Sequence, residues 1–531
     1  MVRCWKLSIK VAPYEGRCRP WHGAFSGLVV NHLQRTASCH PGSTMSARQP
    51  NILFIMSDDH AAHAITAYGS RINETPQIDR LATEGARFDN CFCTNSICAP
   101  SRAVILTGRH SHLNGVLTLA DDLDGRQETV PQLLQAAGYQ TAIFGKWHLG
   151  HGGHADPTGF DHWAILPDHG LYHNTNYWIN GELTPSVGYI TDQVTDMMID
   201  WLGHRDRERP FMVMLHHKAP HRPWEPDDKH ASMYEDIDIP TPPTFDDDYA
   251  NRSRAAQNAT MRIERDFRST DLKQDVPEGL TPAEEKYWKY QRYIKDYLRC
   301  VASIDDNVGR VLDYLDAEDL TDDTIVIYTS DQGFFLGDHG WYDKRFMYEE
   351  SLRMPFLMRY PREVPGGSTV EPMVTNLDFA RTLLDYAGVP GSDQMQGRSF
   401  RALAGGEPAP EGWPASFYYR YWMHLTDHGV PAHYGIRTQT HKLIYYYGEA
   451  LRTSASIDIP TAPEWELFDL VADPMEMNNV YDDPANAGLI AELKAELERL
   501  RAEAGDTWGT TCDVRVQIDL GLDEPVSAPA P

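Results

Sequence analysis

Asn51-Ile-Leu-Phe-Ile-Met56, followed at once by Ser57-Asp58-Asp59-His60, is the stretch on which the reading of this chain turns. An unbroken apolar run of this length suits a strand buried on both faces of a parallel sheet. The acids that end it stand where open α/β sheets gather their ligands, beyond the carboxyl ends of the strands. The pattern recurs three times. Gln140-Thr-Ala-Ile-Phe144 runs into Gly145-Lys146-Trp147-His148, and Phe211-Met-Val-Met-Leu215 into His216-His217-Lys218-Ala219-Pro220-His221. Thr324-Ile-Val-Ile-Tyr328 runs into Thr329-Ser330-Asp331-Gln332-Gly333. Four apolar strands that each end in acids, bases or histidines are the strongest organisational signal in the sequence.

Helical patterns separate these strands: Val130 to Ala137 closed by Gly138, an amphipathic stretch from Tyr189 to Leu202, and a long one from Tyr287 to Leu315. The alternation predicts an α/β fold, a mostly parallel central sheet flanked by helices on both faces. Residues 232–285 are rich in Asp, Pro and Arg without clear periodicity and read as a long excursion, a candidate lid or substrate-facing loop. Pro408-Ala-Pro-Glu-Gly-Trp-Pro414 reads as a linker. Strand-like runs from Ser416 to Trp422 and Lys442 to Tyr447, then a helix from Ala487 to Ala504, predict a smaller α+β C-terminal subdomain. The expected division is an N-terminal extension over 1–45, expected to be disordered, a catalytic domain over 46–405, the C-terminal subdomain over 406–520 and a tail over 521–531.

Composition bounds the function. The 531 residues are 41% hydrophobic and 23% charged, as in soluble globular proteins. No apolar run approaches the roughly 18 residues that a membrane span needs. The formal net charge of −28 argues against a nucleic-acid binder, which needs a basic face. Eight cysteines in a chain this long do not make a disulfide framework. Residues 1–45, whose apolar patch from Phe25 to Val30 is short, fit a secretory signal poorly. Met45-Ser-Ala-Arg-Gln-Pro50 reads as a more natural start. The compartment stays open: cytoplasmic if translation starts at Met45, otherwise periplasmic or secreted.

Cys98-Ala-Pro-Ser-Arg102 carries the chemistry. Alone, a cysteine beside a proline reads as a packed thiol. Continued by Leu106-Thr-Gly-Arg109, the segment resembles the signature of the type I sulfatases, members of the alkaline phosphatase superfamily. The resemblance runs over roughly residues 48–520 and includes Trp465-Glu-Leu-Phe-Asp-Leu470. It is closest to the bacterial N-acetylglucosamine-6-sulfatase-like carbohydrate sulfatases. It implies an alkaline phosphatase-like fold and oxidation of Cys98 to formylglycine. The hydrated aldehyde then attacks sulfur with one hydroxyl and expels sulfate with the help of the other, a release route that a thiol lacks.

Asp58-Asp59 and Asp331-Gln332 close two buried strands, and two carboxylate-bearing strand ends suit a shared hard cation. The resemblance makes it calcium, held by Asp58, Asp59, Asp331, Gln332 and the oxidised Cys98. Gln332 departs from the family pattern, where many relatives carry Asn. A sulfated substrate is an anion, so a chain of this net charge needs a local island of positive charge. The Gly145-Lys-Trp-His148, Ala219-Pro-His-Arg-Pro-Trp224 and Asp343-Lys-Arg-Phe346 segments match the family's basic stretches. Lys146 and His148, two apart, point to one face on extended backbone.

The implied roles are sulfate stabilisation by Arg102, Lys146 and Lys344, His221 as acid for the departing alkoxide, and His148 as base during release. The two histidines can also be assigned the other way round. Asp338, His339, the aromatic run from Tyr418 to Trp422, and His424 are candidate sugar contacts, with core packing the alternative for the aromatics. The expected substrate is a sulfated carbohydrate. The expected partner is a formylglycine-generating or anaerobic sulfatase-maturating enzyme. The alternatives are a phosphonate monoester or phosphodiester hydrolase on the same fold, and a non-catalytic carbohydrate-binding relative.

Overall fold

A computed structural model describes residues 49–508. The expected extension over 1–45 and the tail over 521–531 lie outside the described residues, as do Cys4, Cys18, Cys39 and Cys512.

The four strands read from sequence are β1 (Asn51–Ser57), β2 (Gln140–Gly145), β3 (Phe211–His216) and β4 (Thr324–Ser330). Each runs one or two residues beyond its apolar stretch. All four are buried along their whole length, as strands covered on both faces must be. They are adjacent in the order β4-β1-β3-β2 and parallel throughout. Six more strands extend this sheet to ten. Ser368–Val370, Ala86–Phe88 and Phe356–Arg359 stand beyond β4, and His162–Ile165, Asn176–Ile179 and Glu182–Pro185 beyond β2. Among the described strands of this sheet, antiparallel pairs occur only toward these margins, where Phe356–Arg359 meets its two neighbours and where His162–Ile165, Asn176–Ile179 and Glu182–Pro185 pair in turn.

Register brings the polar ends level. Ser57 pairs with Ser330, and Met56 and Gly145 both pair with His216. Strands lie about 4.8 Å apart, so four neighbouring ends span only about 15 Å. β1 is flanked by β4 on one side and β3 on the other, so the chain's strand order switches at its end, which is where ligands bind in open α/β sheets. Gly145 makes the closest approach. Its φ is 100°, and a Cβ there would stand 1.9 Å from the His216 carbonyl oxygen, so only glycine fits.

Two helices serve this end of the sheet. α1 (Cys98–Thr107) is buried at every residue and stops at Gly108, which takes the left-handed conformation that ends helices. α2 (Pro282–Ala317) has 36 residues and starts with Pro282 behind a Thr281–Glu284 capping box. The 232–285 excursion holds two short helices, Arg254–Asn258 and Ser269–Leu272. A smaller antiparallel sheet, Ser416–Tyr421, His433–Thr438, His441–Tyr446 and Glu464–Asp469 in chain order, forms the C-terminal region. The helix Ala487–Ala504 packs Leu493 and Leu497 with Ile436, Leu443 and Leu467 of this sheet. Among the described residues, no helix is long and apolar enough to cross a membrane.

Candidate active site

Asp58 and Asp59 follow β1 directly. Consecutive side chains on extended backbone would point to opposite faces. Asp59 has φ 68°, and this left-handed turn lets both carboxylates face one cluster. Carboxylate oxygens of Asp58, Asp59 and Asp331 lie within 4.8 Å of one another, and so do ligand atoms of Asp58, Cys98 and His221. The ends of β1, β3 and β4 and the start of α1 therefore meet at one point.

Each acid has its own cation. Lys146 donates to Asp58 Oδ2. Lys344 Nζ reaches both oxygens of Asp59, at 2.6 and 2.8 Å. Arg102, one helical turn beyond Cys98, donates from Nε to Asp331 Oδ2 at 2.9 Å and from Nη1 to the Lys146 carbonyl at 2.8 Å. The island of positive charge that the net charge demands is therefore present. Burial pushes Asp58 up, but the charges of Lys146, Arg102 and Lys344 more than offset it and hold this carboxyl well below the usual range. Burial, with neighbouring carboxylates, pushes Asp59 up to about 7 and Asp331 up to about 6.

This set fits a hard cation. Asp58 Oδ1 and the Gln332 carbonyl oxygen Oε1 are buried and have no hydrogen-bond partner. Gln332 turns its amide nitrogen to Asp59 Oδ1 instead. Oriented, unsatisfied acceptors beside carboxylates held up by burial are the environment that a divalent ion relieves. Cys98 is 1% exposed, and burial pushes its thiol up to about 12. As a thiol it is protonated near neutrality and a poor nucleophile.

Tyr297 of α2 fastens the turn that carries the acids. Its hydroxyl donates to the Asp59 carbonyl at 2.8 Å and accepts from the Ala61 amide at 2.9 Å. Tyr297→Phe leaves two buried backbone groups unpaired. It is expected to lower stability by about 1–3 kcal/mol, read as a lower urea midpoint.

The histidines follow. Nδ1 of His221 donates to the Arg222 carbonyl at 2.7 Å, which leaves the lone pair on Nε2, 3.8 Å from Asp59 Oδ2. Burial and the nearby ammoniums hold His221 and His148 well below the usual imidazole range, so both rings are neutral. The extended-backbone argument for Lys146 and His148 fails at its second residue, because His148 has φ 57°. Its ring stands 4.2 Å from that of His169, which stacks at 4.5 Å on His221.

Cys98, His169, His221 and Lys344 line a cleft of about 230 Å³. The three candidate sugar contacts are engaged elsewhere. Asp338 pairs with His63 Nε2 at 3.2 Å, and His339 is fully buried with Nδ1 2.9 Å from Asp247 Oδ2. His424 has both ring nitrogens bonded to main chain, at Ile459 and Ala432. The run from Tyr418 to Trp422 is buried, and Tyr419 donates to the Arg345 carbonyl at 2.9 Å, so these aromatics are core.

The Sulfatase family model matches residues 50–389, the span that holds the whole cluster. The chain belongs to the sulfatase family. It is a hydrolase of sulfate esters. A second model, N-sulphoglucosamine sulphohydrolase, C-terminal, matches residues 337–503. The sulfatase is 41% identical over 514 residues to an N-acetylglucosamine-6-O-sulfatase of Bacteroides thetaiotaomicron, covering 88% of this chain and 89% of the relative. A solved structure of a protein in complex with its substrate D-glucosamine-2-N,6-O-disulfate superposes with a TM-score of 0.82 at 41% identity, over 87% of this chain and 99% of that one. The phosphonate monoester hydrolase of Agrobacterium radiobacter, 20% identical with a TM-score of 0.67 over 86% and 94%, shares the fold.

Sequence reasoning missed the outer wall of the sulfatase's cleft. Arg222 pairs with Asp271 from the 232–285 excursion, Nε to Oδ1 at 3.1 Å. Asp343 faces His428 Nε2 at 3.2 Å and Arg345 Nε at 3.3 Å, and Arg345 Nη2 reaches Asp427 at 3.4 Å. The signal for Arg222, Asp343 and Arg345 was adjacency to His221 and Lys344. Nothing local marks Asp271, Asp427 or His428. His169 also carried a signal, as one of several histidines after the Gly-Lys-Trp-His segment.

Proposed function

We propose that this sulfatase removes sulfate from sulfated amino sugars of the glucosamine type, with formylglycine made from Cys98 as nucleophile and calcium held by Asp58, Asp59, Asp331 and Gln332. The observation that carries the reading is the meeting of Cys98, three carboxylates and three cations at one strand-end cluster that opens into a polar cleft. The 41% identity to an N-acetylglucosamine-6-O-sulfatase over nearly the full length of both chains supports the substrate class. The catalytic residues fall within 46–405, while Asp427 and His428 of the expected 406–520 subdomain complete the cleft wall.

Formylglycine, when formed, supplies in its hydrate a hydroxyl nucleophile and a second hydroxyl whose deprotonation releases sulfate. Calcium, when bound, polarises the sulfuryl group and lowers the pKa of that nucleophile. The remaining work falls to the chain's own side chains. Lys344 lines the cleft with Lys146 and Arg102 behind it, placed to hold the charge on the sulfate oxygens. His148, neutral and with its side chain 9% exposed, suits a base. His221 uses its Nδ1 hydrogen on Arg222, so it acts as an acid only after Nε2 is protonated. The negative charge of a bound sulfate ester offsets the ammoniums that depress it. The alternating acids and bases of the outer wall offer donors and acceptors to sugar hydroxyls. A formylglycine-generating or anaerobic sulfatase-maturating enzyme is the partner that this chemistry requires.

Mass spectrometry of the Cys98 peptide, with sulfate release from glucosamine 6-sulfate, tests the reading. Sulfur exchanged for oxygen at Cys98, together with sulfate release, is expected. An unmodified thiol in fully active protein overturns the nucleophile. Faster turnover of a phosphonate monoester than of any sulfate ester overturns the substrate class. His221→Asn is expected to slow a sugar sulfate by about 10²–10³-fold but p-nitrophenyl sulfate by less than about tenfold, because a phenolate leaves without a proton. Equal losses on both substrates remove His221 from the acid role.

A further inference from the structure

A second group of ligand-type side chains stands beside the cleft. Donor atoms of His148, Asp168 and His169 all lie within 4.8 Å of one another. His148 Nε2 is 3.5 Å from Asp168 Oδ1, and His169 Nε2 is 3.8 Å from the same oxygen. Both separations are too long for a hydrogen bond. The shorter suits an edge of a coordination tetrahedron, and the longer exceeds one by about 0.2 Å. With metal–ligand bonds of about 2.0–2.2 Å, the ligand atoms of a four-coordinate zinc ion stand about 3.3–3.6 Å apart.

The other nitrogen of each ring, Nδ1 of His148 and of His169, makes no hydrogen bond, so no partner commits Nε2 to carrying the proton and its lone pair is open to a metal. Asp168 is 79% exposed at its side chain, which gives an ion a path from solvent. The donor set differs in kind from the acidic cluster. Two imidazoles and one carboxylate suit zinc and its neighbours, whereas an all-oxygen set suits calcium.

We propose that His148, Asp168 and His169 bind a divalent transition-metal ion of the zinc class, separately from the acidic cluster, and that its occupation switches the sulfatase off. Three protein ligands leave the fourth position to water. Metal on His148 removes the lone pair that the release step uses, and His169 lines the cleft against His221. This inhibitory half rests on the mechanism proposed above; the binding half does not.

Cobalt(II) is the probe, because four-coordinate cobalt absorbs visibly where zinc and calcium are silent. It is titrated into the full-length, tag-free protein under saturating calcium. The expected result is a visible band that zinc displaces and further calcium does not, and that is lost in Asp168→Ala. Asp168→Ala is expected to keep sulfatase activity within about twofold while its zinc inhibition constant rises about tenfold or more. A band unchanged in Asp168→Ala, or displaced by calcium, overturns the site. That outcome includes metal held by residues 1–48 or 509–531. Binding that behaves as expected without zinc inhibition overturns the switch alone. Cobalt binding that behaves as expected in a protein inactive on every sulfate ester overturns the proposed function and leaves the site standing.

Discussion

Cys98→Ala is expected to release sulfate at least about 10⁴-fold more slowly than the parent while folding normally. The side chain is small and sits at the first residue of α1, where alanine is a good helix former. The helix stays anchored by groups that the substitution does not touch. Arg102 binds Asp331 and the Lys146 carbonyl, and Ser101 donates to the Asp331 carbonyl. The loss is therefore chemical. Cys98→Ser makes the sharper control, because serine restores a hydroxyl but offers no second one for releasing sulfate. It is expected to turn over at most about once and to hold sulfate covalently. Sulfate release by ion chromatography, with intact mass for the serine protein, reads both. Multiple turnovers at the parent rate in either variant would remove Cys98 from the mechanism.

The second large effect is expected at Asp331. This carboxylate accepts from Nε of Arg102 at 2.9 Å and from the Asp59 amide at 3.2 Å. Arg102 is 1% exposed, and its next carboxylate oxygen, Asp58 Oδ1, is 3.9 Å away. Asp331→Asn strips the guanidinium of its charge partner where water cannot replace it. Breaking a buried pair from one side costs about 3–5 kcal/mol. The same change removes one carboxylate from the metal-binding set. The proposed calcium, binding the folded state alone, is expected to raise the parent's stability by about 2.7 kcal/mol at a hundred times its dissociation constant. The variant is expected to unfold at lower urea and to gain little from calcium, with sulfate release down about 10³-fold. Calcium that stabilises Asp331→Asn as much as the parent would show that the ion is held elsewhere.

The readable and unreadable parts of this molecule divide by range. The four strands were legible because burial on both faces leaves an unbroken apolar run, a purely local signature. Helix α2 was legible by its period, although its first residue, Pro282, behind the Thr281–Glu284 capping box, lies five residues before the apolar pattern begins. Asp58, Asp59, Asp331 and Gln332 were legible as polar ends of such runs. Asp338 and His339 read as sugar contacts from the segment that follows Asp331, and His424 from the aromatic run beside it. Whether their polar atoms face a cleft or a buried partner depends on chain distant in sequence: His63, Asp247 and Ile459.

By itself the sequence determined the elements and their chemistry: which stretches must be buried, which ends carry acids or bases, and that Cys98 sits in a sulfatase-type segment. Only the tertiary structure decided which groups share a site. It set the strand order β4-β1-β3-β2, turned Asp59 into the left-handed region so that two adjacent carboxylates face together, and returned Asp271 and His428 to the cleft. The physical reason is that burial and periodicity are written in neighbouring residues. Contact between side chains tens or hundreds of positions apart is settled by the packing of the whole core.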